Sequence, residues 1–152
     1  MVNFGGIIVP RAREETGELR QGEVVELEIP SAPEYVAIVR QAVECIAKRM
    51  HFGVDQIEDL KVAVGEACTN AIKYGCPKDD GHNVDVRCVV CDGGLLVEVR
   101  NSVAVCDRPE VPAQPNLDRE GGLGLYLIRK LVDEVDLDWN HDTACVKMLK
   151  RL

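Results

Sequence analysis

The chain has 152 residues and a formal net charge of −8; 46% of its residues are hydrophobic and only 4% are aromatic. This length holds one domain with a core of aliphatic side chains, and the acidic balance argues against nucleic acid as the main partner. No apolar run approaches the length of a membrane span, and the first residues lack the basic and apolar pattern of a signal peptide. We therefore expect a cytoplasmic protein with no direct contact to nucleic acid or membrane.

Seven cysteines are an odd number for a disulfide framework, and they are scattered through apolar segments. This pattern is typical of small buried thiols in a reducing compartment. Cys88 and Cys91 form a CxxC motif, but residues three apart on a strand face opposite sides of the sheet. A thiol or metal protein is therefore the weakest of three interpretations of the chain.

Residues 1–22 mix glycine, proline and charge without periodicity, which predicts an N-terminal arm ahead of a domain at 23–152. Ser31 and Glu34 have the spacing of a capping box before the first predicted helix, and Asp55 is placed to cap the second. In chain order, the predicted elements are a strand at 24–29, helices at 36–50 and 55–74, strands at 83–91 and 95–100, a loop at 102–119, a helix at 123–134 and strands at 135–139 and 144–149.

The order of these elements predicts an α+β protein with helices packed on one face of a mostly antiparallel sheet. Asp92-Gly93-Gly94, between the two middle strands, is a strong hairpin signal. The loop after the second of these strands is long for a compact domain, and such loops are usually functional. We expect a two-layer α/β sandwich.

Three polar residues share one side of the second predicted helix. Glu66, Asn70 and Lys73 fall within roughly 60° of one another at about 100° per residue. Glu66 could act as the general base of a phosphoryl transfer, and the amide oxygen of Asn70 is a neutral ligand that Mg²⁺ accepts. Lys73 could reach a phosphate from the same face. The structural alternatives are a solvated Glu66, or one paired with Lys73, and an Asn70 bound to nearby backbone.

A glycine-rich turn precedes the third predicted helix. Gly121, Gly122 and Gly124 surround Leu123 there, and bare backbone N–H groups at a helix start attract phosphate. The P-loop pattern GxxxxGK[ST] is absent, and a glycine-rich turn alone is weak evidence for a nucleotide site. Its occurrence together with Glu66 and an intervening loop favours a pocket for a metal-bound phosphate chain.

Two segments together resemble the anti-sigma-factor kinases, which are bacterial regulators in the superfamily of histidine-kinase-like (GHKL) ATPases. The helix motif GEACTNAIKYG at 65–75 resembles the N box of that family, and EGGLGLYLIRKLVDEV at 120–135 resembles its second glycine box. The resemblance extends from about residue 23 to the C-terminus. It implies a fold of the Bergerat type, the ATPase sandwich of this superfamily.

The resemblance also implies a function and the roles of individual residues. Glu66 corresponds to the catalytic base, Asn70 to the Mg²⁺ ligand, and Gly122 and Gly124 to the turn that binds the phosphates of ATP. The protein expected from it is a homodimeric anti-sigma regulatory factor. Such a factor sequesters a sigma factor and phosphorylates a serine or threonine of an anti-anti-sigma protein.

One segment departs from the family pattern and leaves two interpretations open. After the strand at 95–100 the family usually shows DxGxG, whose Asp accepts a hydrogen bond from the adenine amine, whereas this chain has Asn101-Ser102-Val103-Ala104-Val105. Strand alternation directs Asn101 toward the expected adenine position, where either its oxygen or its NH₂ could face the base. The first interpretation is an ATP- and Mg²⁺-dependent kinase with 106–120 as a lid over the phosphates. The alternative is a non-catalytic partner-binding module whose nucleotide pocket is degenerate.

Overall fold

The computed structural model describes residues 3–4, 7–8, 21–74, 83–102, 122–139 and 143–152. Two short strands, β1 (Asn3–Phe4) and β2 (Ile7–Ile8), pair within the N-terminal segment, where the sequence predicts no element. The division into an arm and a domain at residue 22 stays a prediction. The other elements are β3 (Val24–Pro30), a 3₁₀ turn (Pro33–Tyr35), α1 (Val36–Arg49), α2 (Val54–Tyr74), β4 (Asn83–Cys91), β5 (Gly94–Ser102), α3 (Gly122–Leu131), β6 (Glu134–Trp139) and β7 (Thr143–Arg151).

Strands β3 to β7 form one antiparallel sheet in the order β3-β4-β5-β7-β6. The predicted hairpin joins β4 to β5, and Gly93 in its turn has a φ of 75°, a conformation that favours glycine. Every pairing in this sheet is antiparallel. The predicted α+β class is confirmed.

The three helices pack on one face of this sheet. Their apolar side chains and the inward-facing residues of the strands form one continuous buried cluster. In it, α1 contributes Val39 and Val43, α2 contributes Leu60 and Val64, and α3 contributes Ile128, all without solvent exposure. None of the helices in the described ranges combines the length and the apolar character needed to cross a membrane. The predicted two-layer sandwich is confirmed.

The start of α1 does not carry the predicted capping box. The chain instead makes a 3₁₀ turn, in which the N–H of Tyr35 donates to the carbonyl of Ala32 at 3.2 Å. Pro33 begins this turn with the fixed φ that suits a helix start, and no side chain caps the turn or α1. The prediction for Ser31 and Glu34 is wrong, because a backbone turn leads into the helix.

The start of α2 also differs from the prediction. The N–H of Gly53 donates to Oε1 of Gln56 at 2.9 Å, and the carbonyl of Gly53 accepts from the N–H of Ile57 at 3.0 Å. Gly53 is therefore the capping residue. Asp55 lies inside the first turn, where its carboxylate complements the positive end of the helix dipole.

Gly65 allows α1 and α2 to pack closely. A Cβ at this position would collide with Nε and Cζ of Arg40, so the Arg40 guanidinium lies against the backbone of α2. Nearby, Nζ of Lys61 lies 2.9 Å from Oε2 of Glu44. Hydrogen bonds from Lys48 and Lys61 hold the pKa of the Glu44 carboxyl at about 2. These contacts hold α2 in one orientation against α1.

The helix α3 ends at Leu131, three residues before its predicted end at 134. Nζ of Lys150 donates to the carbonyl of Leu131 at 2.6 Å and lies 3.3 Å from Oδ2 of Asp59 in α2. The N–H of Asp133 donates to the carbonyl of Leu149 at 2.9 Å, which draws the chain into β6. A cation at the last carbonyls also complements the negative end of the helix dipole. The end of α3 is thereby held by both α2 and the sheet.

A left-handed residue ends α1. His51 has a φ of 63°, and its N–H donates to the carbonyl of Lys48 at 3.1 Å. The N–H of Phe52 donates to the carbonyl of Ala47 at 3.1 Å, which completes a Schellman motif. Glycine is the residue that this position favours, because a Cβ is crowded in the left-handed conformation.

We predict that His51→Gly raises the free energy of unfolding by about 1 kcal/mol, because glycine adopts the left-handed conformation without that crowding. Urea denaturation measures the difference. As a control, Gln41→Gly on the exposed face of α1 should lower the free energy of unfolding by about 1 kcal/mol. A His51→Gly variant no more stable than the wild type would contradict the prediction.

Candidate active site

Glu66 and Asn70 lie one turn apart on α2, and both residues are half-buried. Ala63, Ala67 and Ala71 of the same helix are almost completely buried in the core. The two polar side chains therefore stand where the apolar core meets the surface. Such groups are costly to bury unless they meet something polar.

The start of α3 lies directly against these two side chains. A methyl group added at Gly124 would lie 3.0 Å from Oε2 of Glu66, 3.1 Å from Nδ2 of Asn70 and 3.3 Å from Oδ1 of Asn70. Gly124 is itself buried. The structure therefore brings Glu66 and Asn70 together with Gly124, which lies more than fifty residues further along the chain.

The backbone of α3 supplies the polar partner. The first N–H groups of an α-helix have no acceptor within the helix, and they lie at the positive end of its dipole. Because α3 begins at Gly122, these donors are close to Gly124 and therefore to the two side chains of α2. A carboxylate, a carboxamide and backbone donors in one place can bind a phosphate chain and its cation.

The structure describes three further residues that the sequence predicted for the site. Gly122 is the first residue of α3, and Leu123 is 47% exposed. Lys73 is exposed near the end of α2, where its Nζ lies 5.5 Å from the centre of the Tyr74 ring. Gly121 lies outside the described residues, as does the predicted lid at 106–120.

Asn101 lies near the end of β5, and its side chain reaches α2. Nδ2 donates to the carbonyl of Ala71 at 3.0 Å, and the residue is half-buried. This contact sets the orientation of the amide, with Nδ2 toward α2 and Oδ1 on the other side of the carboxamide. The sequence alone did not decide whether the oxygen or the NH₂ of Asn101 points away from α2. No sequence pattern indicates that an asparagine side chain will bind a backbone carbonyl on another element.

A surface depression of about 650 Å³ lies on the other face of the sheet. Its lining includes Glu26, Glu28, Asp85 and Glu98, with Arg87 and Arg100 beside them. Four carboxylates make this depression unsuitable for a polyphosphate. The convergence on Gly124 is therefore the better candidate for phosphate chemistry.

The two cysteines of the CxxC motif lie on opposite faces of the sheet. Cys88 belongs to the core under the helices, whereas Cys91 belongs to a separate cluster on the outer face. Burial raises the pKa of the Cys88 thiol to about 12, so this thiol stays protonated at neutral pH. Among the described residues, no group of three or more His, Cys, Asp or Glu side chains could hold a metal ion.

A model of the histidine kinase-like ATPase domain matches residues 29–150. The chain belongs to the histidine kinase-like ATPase family. This ATPase domain is 39% identical over 140 residues to the serine-protein kinase RsbW of Bacillus subtilis strain 168, with 86% of each chain covered. It is 38% identical over 143 residues to RsbW of Bacillus pumilus, with 85% of this chain and 88% of the relative covered. The predicted membership of the anti-sigma-factor kinases is confirmed.

A solved structure shows the same fold. The RsbU and RsbW domains of a Mycobacterium tuberculosis protein align with this ATPase domain at a TM-score of 0.66 and 16% sequence identity. The alignment covers 87% of this chain and 32% of the other. At this identity the likeness supports the sandwich architecture alone.

We predict that Asn101→Asp lowers the free energy of unfolding of the ATPase domain by about 1–3 kcal/mol at pH 7, because a carboxylate cannot donate to the Ala71 carbonyl. Urea denaturation measures the loss. The deficit relative to wild type should shrink below about pH 4, where a protonated Asp can donate. The sign follows because the carbonyl disfavours the charged form, so the folded pKa is raised. Equal stability of the two proteins at pH 7 would contradict the prediction.

Proposed function

We propose that this chain is an ATP-dependent kinase that phosphorylates a serine or threonine of an anti-anti-sigma protein and sequesters a sigma factor. The observation that carries the proposal is the convergence of Glu66 and Asn70 on the start of α3 beside Gly124. Relatives that are 38–39% identical over most of the chain are named serine-protein kinases, which supports transfer to a serine hydroxyl. The two protein partners and the homodimer enter the proposal from the family alone.

The residues at this place fit ATP and Mg²⁺. Asn70 offers a neutral oxygen ligand that adds no negative charge beside a polyphosphate. The backbone donors at the start of α3 fit phosphate oxygens, and the absence of a side chain at Gly124 leaves open the space that a Cβ would fill. Bound there, ATP would supply the phosphoryl group and Mg²⁺ would neutralise phosphate charge. We assign Asn70 as the metal ligand and Gly121, Gly122, Leu123 and Gly124 as the phosphate-binding turn.

Glu66 is assigned as the general base. Its carboxylate would accept the proton of the serine or threonine hydroxyl, whose oxygen would form a bond to the γ-phosphorus of ATP while the bond from that phosphorus to ADP breaks and ADP leaves. Its position, half-buried beside the start of α3, supports this role. The base and the metal ligand are one helical turn apart, so both act from the same face of α2.

Asn101 is assigned to the adenine base. Since Nδ2 donates to the Ala71 carbonyl, the amide presents its oxygen on the side away from α2. An oxygen acceptor suits the amine of adenine and does not suit the carbonyl of guanine. The proposal therefore includes a preference for ATP over GTP. Lys73, exposed near the end of α2, is assigned to a phosphate.

The alternative is a partner-binding module of the same fold that lacks catalysis. The segment at 101–105 has no glycine where the family pattern has two. Valines at 103 and 105 bring branched side chains into a stretch where the family has bare backbone. Under this alternative the protein binds and sequesters its partner, and no phosphate is transferred.

We predict that Glu66→Gln lowers phosphate transfer from ATP to a purified anti-anti-sigma protein by about 100-fold or more, because the amide cannot accept the hydroxyl proton. ATP affinity, measured by calorimetric titration, should change little. Radiolabelled ATP reports the transfer.

Glu58→Gln is the matched control, since Glu58 is exposed on the same helix and pairs with Lys61. This variant should transfer phosphate like the wild type. Unchanged transfer in Glu66→Gln would exclude Glu66 as the base. A wild-type protein that binds its partner and transfers no phosphate would establish the alternative.

A further inference from the structure

Four apolar residues on the outer face of the sheet, opposite the helices, are almost completely buried. We call them the outer patch: Val89 is 6% exposed, Cys91 5%, Leu96 1% and Leu149 0%. They form a cluster separate from the core under the helices. The outer face of a two-layer sandwich is ordinarily open to water. The burial of this patch therefore requires a cover on the outer face.

The strand register shows which part of the face is covered. Val24, Val89, Leu96 and Leu149 are paired side by side in one row across β3, β4, β5 and β7. Val24, on the edge strand β3, is 41% exposed, while the other three are between 0% and 6% exposed. Within the described sheet, Val24 has a neighbouring strand on one side only, which accounts for part of its exposure. The low exposure of the other three places the cover over β4, β5 and β7.

The neighbouring row does not provide this cover. It consists of alternating charges on the five strands, and its members pair in the order Glu26, Arg87, Glu98, Lys147 and Asp136. Nη1 of Arg87 lies 3.3 Å from Oε2 of Glu98, and Nε of Arg87 lies 3.4 Å from Oε1 of Glu26. These side chains engage one another along their own row. The outer patch thus needs an apolar partner from elsewhere.

The pair β1–β2 is the described element that has no place in the two layers. Its strands pair Asn3 with Ile8 and Phe4 with Ile7. Two strands of two residues are not stable alone in water, so this pair needs a surface to pack on. Three of its four paired residues are apolar, as the outer patch demands.

The chain also reaches the sheet beside the outer patch. The N–H of Gly22 donates to the carbonyl of Val90 at 2.7 Å, and the N–H of Val90 donates to the carbonyl of Glu23 at 2.9 Å. Val90 lies between two members of the patch, Val89 and Cys91. The thirteen residues from 9 to 21 can span up to about 40 Å. That length allows β1–β2 to fold back over β4, β5 and β7.

We propose that β1–β2 packs on the outer patch as an intramolecular third layer. The family match covers residues 29–150, so this layer lies outside the matched part of the chain. It closes the outer face to other apolar surfaces, a second copy of the chain included. The inference does not depend on kinase activity.

Native thiols allow a direct test in the full chain. Cys91 belongs to the outer patch, Cys45 is exposed on α1, and Cys68 and Cys88 are in the core. Alkylation with iodoacetamide, followed by peptide mass spectrometry, gives a labelling rate for each thiol. In the wild type, Cys45 should react fast, and Cys91 should react slowly at every protein concentration.

Ile7→Asp should speed the labelling of Cys91 by on the order of 10-fold or more, because a charge opposes packing on an apolar patch. Cys68 and Cys88 should stay as slow as in the wild type. Asn3→Asp adds the same charge to the pair without removing an apolar side chain, and it should leave Cys91 protected. Equal labelling of Cys91 in the wild type and Ile7→Asp, or labelling as fast as that of Cys45 in the wild type, would overturn the proposal.

Fast labelling of Cys68 and Cys88 would reveal that Ile7→Asp unfolds the protein. In that case a crosslinking experiment tests the proposal. Ile7→Cys is treated with a short bismaleimide in the otherwise native chain. A link between Cys91 and the introduced thiol within one molecule is expected. Links formed only between two molecules, together with protection of Cys91 that depends on protein concentration, would show a second copy on the patch and overturn the proposal.

Discussion

The candidate site depends on the close approach of two helices at a residue without a side chain. Glu66 and Asn70 lie so close to Gly124 that a Cβ there would be only 3.0 to 3.3 Å from their polar atoms. A side chain at this position would require these neighbours to move by a few tenths of an ångström. The glycine therefore lets a carboxylate, a carboxamide and the first backbone N–H groups of α3, which have no acceptor within their own helix, share one small volume. We propose this arrangement as the site of phosphate chemistry.

Contacts far from the site maintain this approach. Lys150 joins the last carbonyl of α3 to Asp59 at the other end of α2, so the two helices are tied together at a distance from Gly124. Arg40 lies against Gly65 and holds α1 on the same helix. These contacts orient α2 on the side of α1 and on the side of α3. The polar face of α2 is thereby directed at the start of α3.

The sequence predicted the sandwich and the hairpin of β4 and β5, because alternation and the Asp92-Gly93-Gly94 turn are local signals. It did not predict the order of the strands in the sheet. It also predicted that Glu66, Asn70 and Gly124 belong together, from two motifs that the fold brings into contact. It did not predict the true end of α3 or the bond from Asn101 to Ala71, since both depend on groups distant in sequence. The predicted helix caps at Ser31 and Asp55 were wrong. A backbone turn leads into α1 in place of a capping side chain, and Gly53 caps α2 in place of Asp55.

Calorimetric titration of ATP with Mg²⁺ into the wild type and into Gly124→Ala tests the central claim most directly. The account predicts that the wild type binds ATP and that the added methyl group weakens binding by on the order of 10-fold, or about 1.4 kcal/mol. Gly53→Ala, where a Cβ would meet Oε1 of Gln56 at 3.4 Å, should bind like the wild type. A wild type that does not bind ATP, or a Gly124→Ala variant that binds it equally well, would contradict the account.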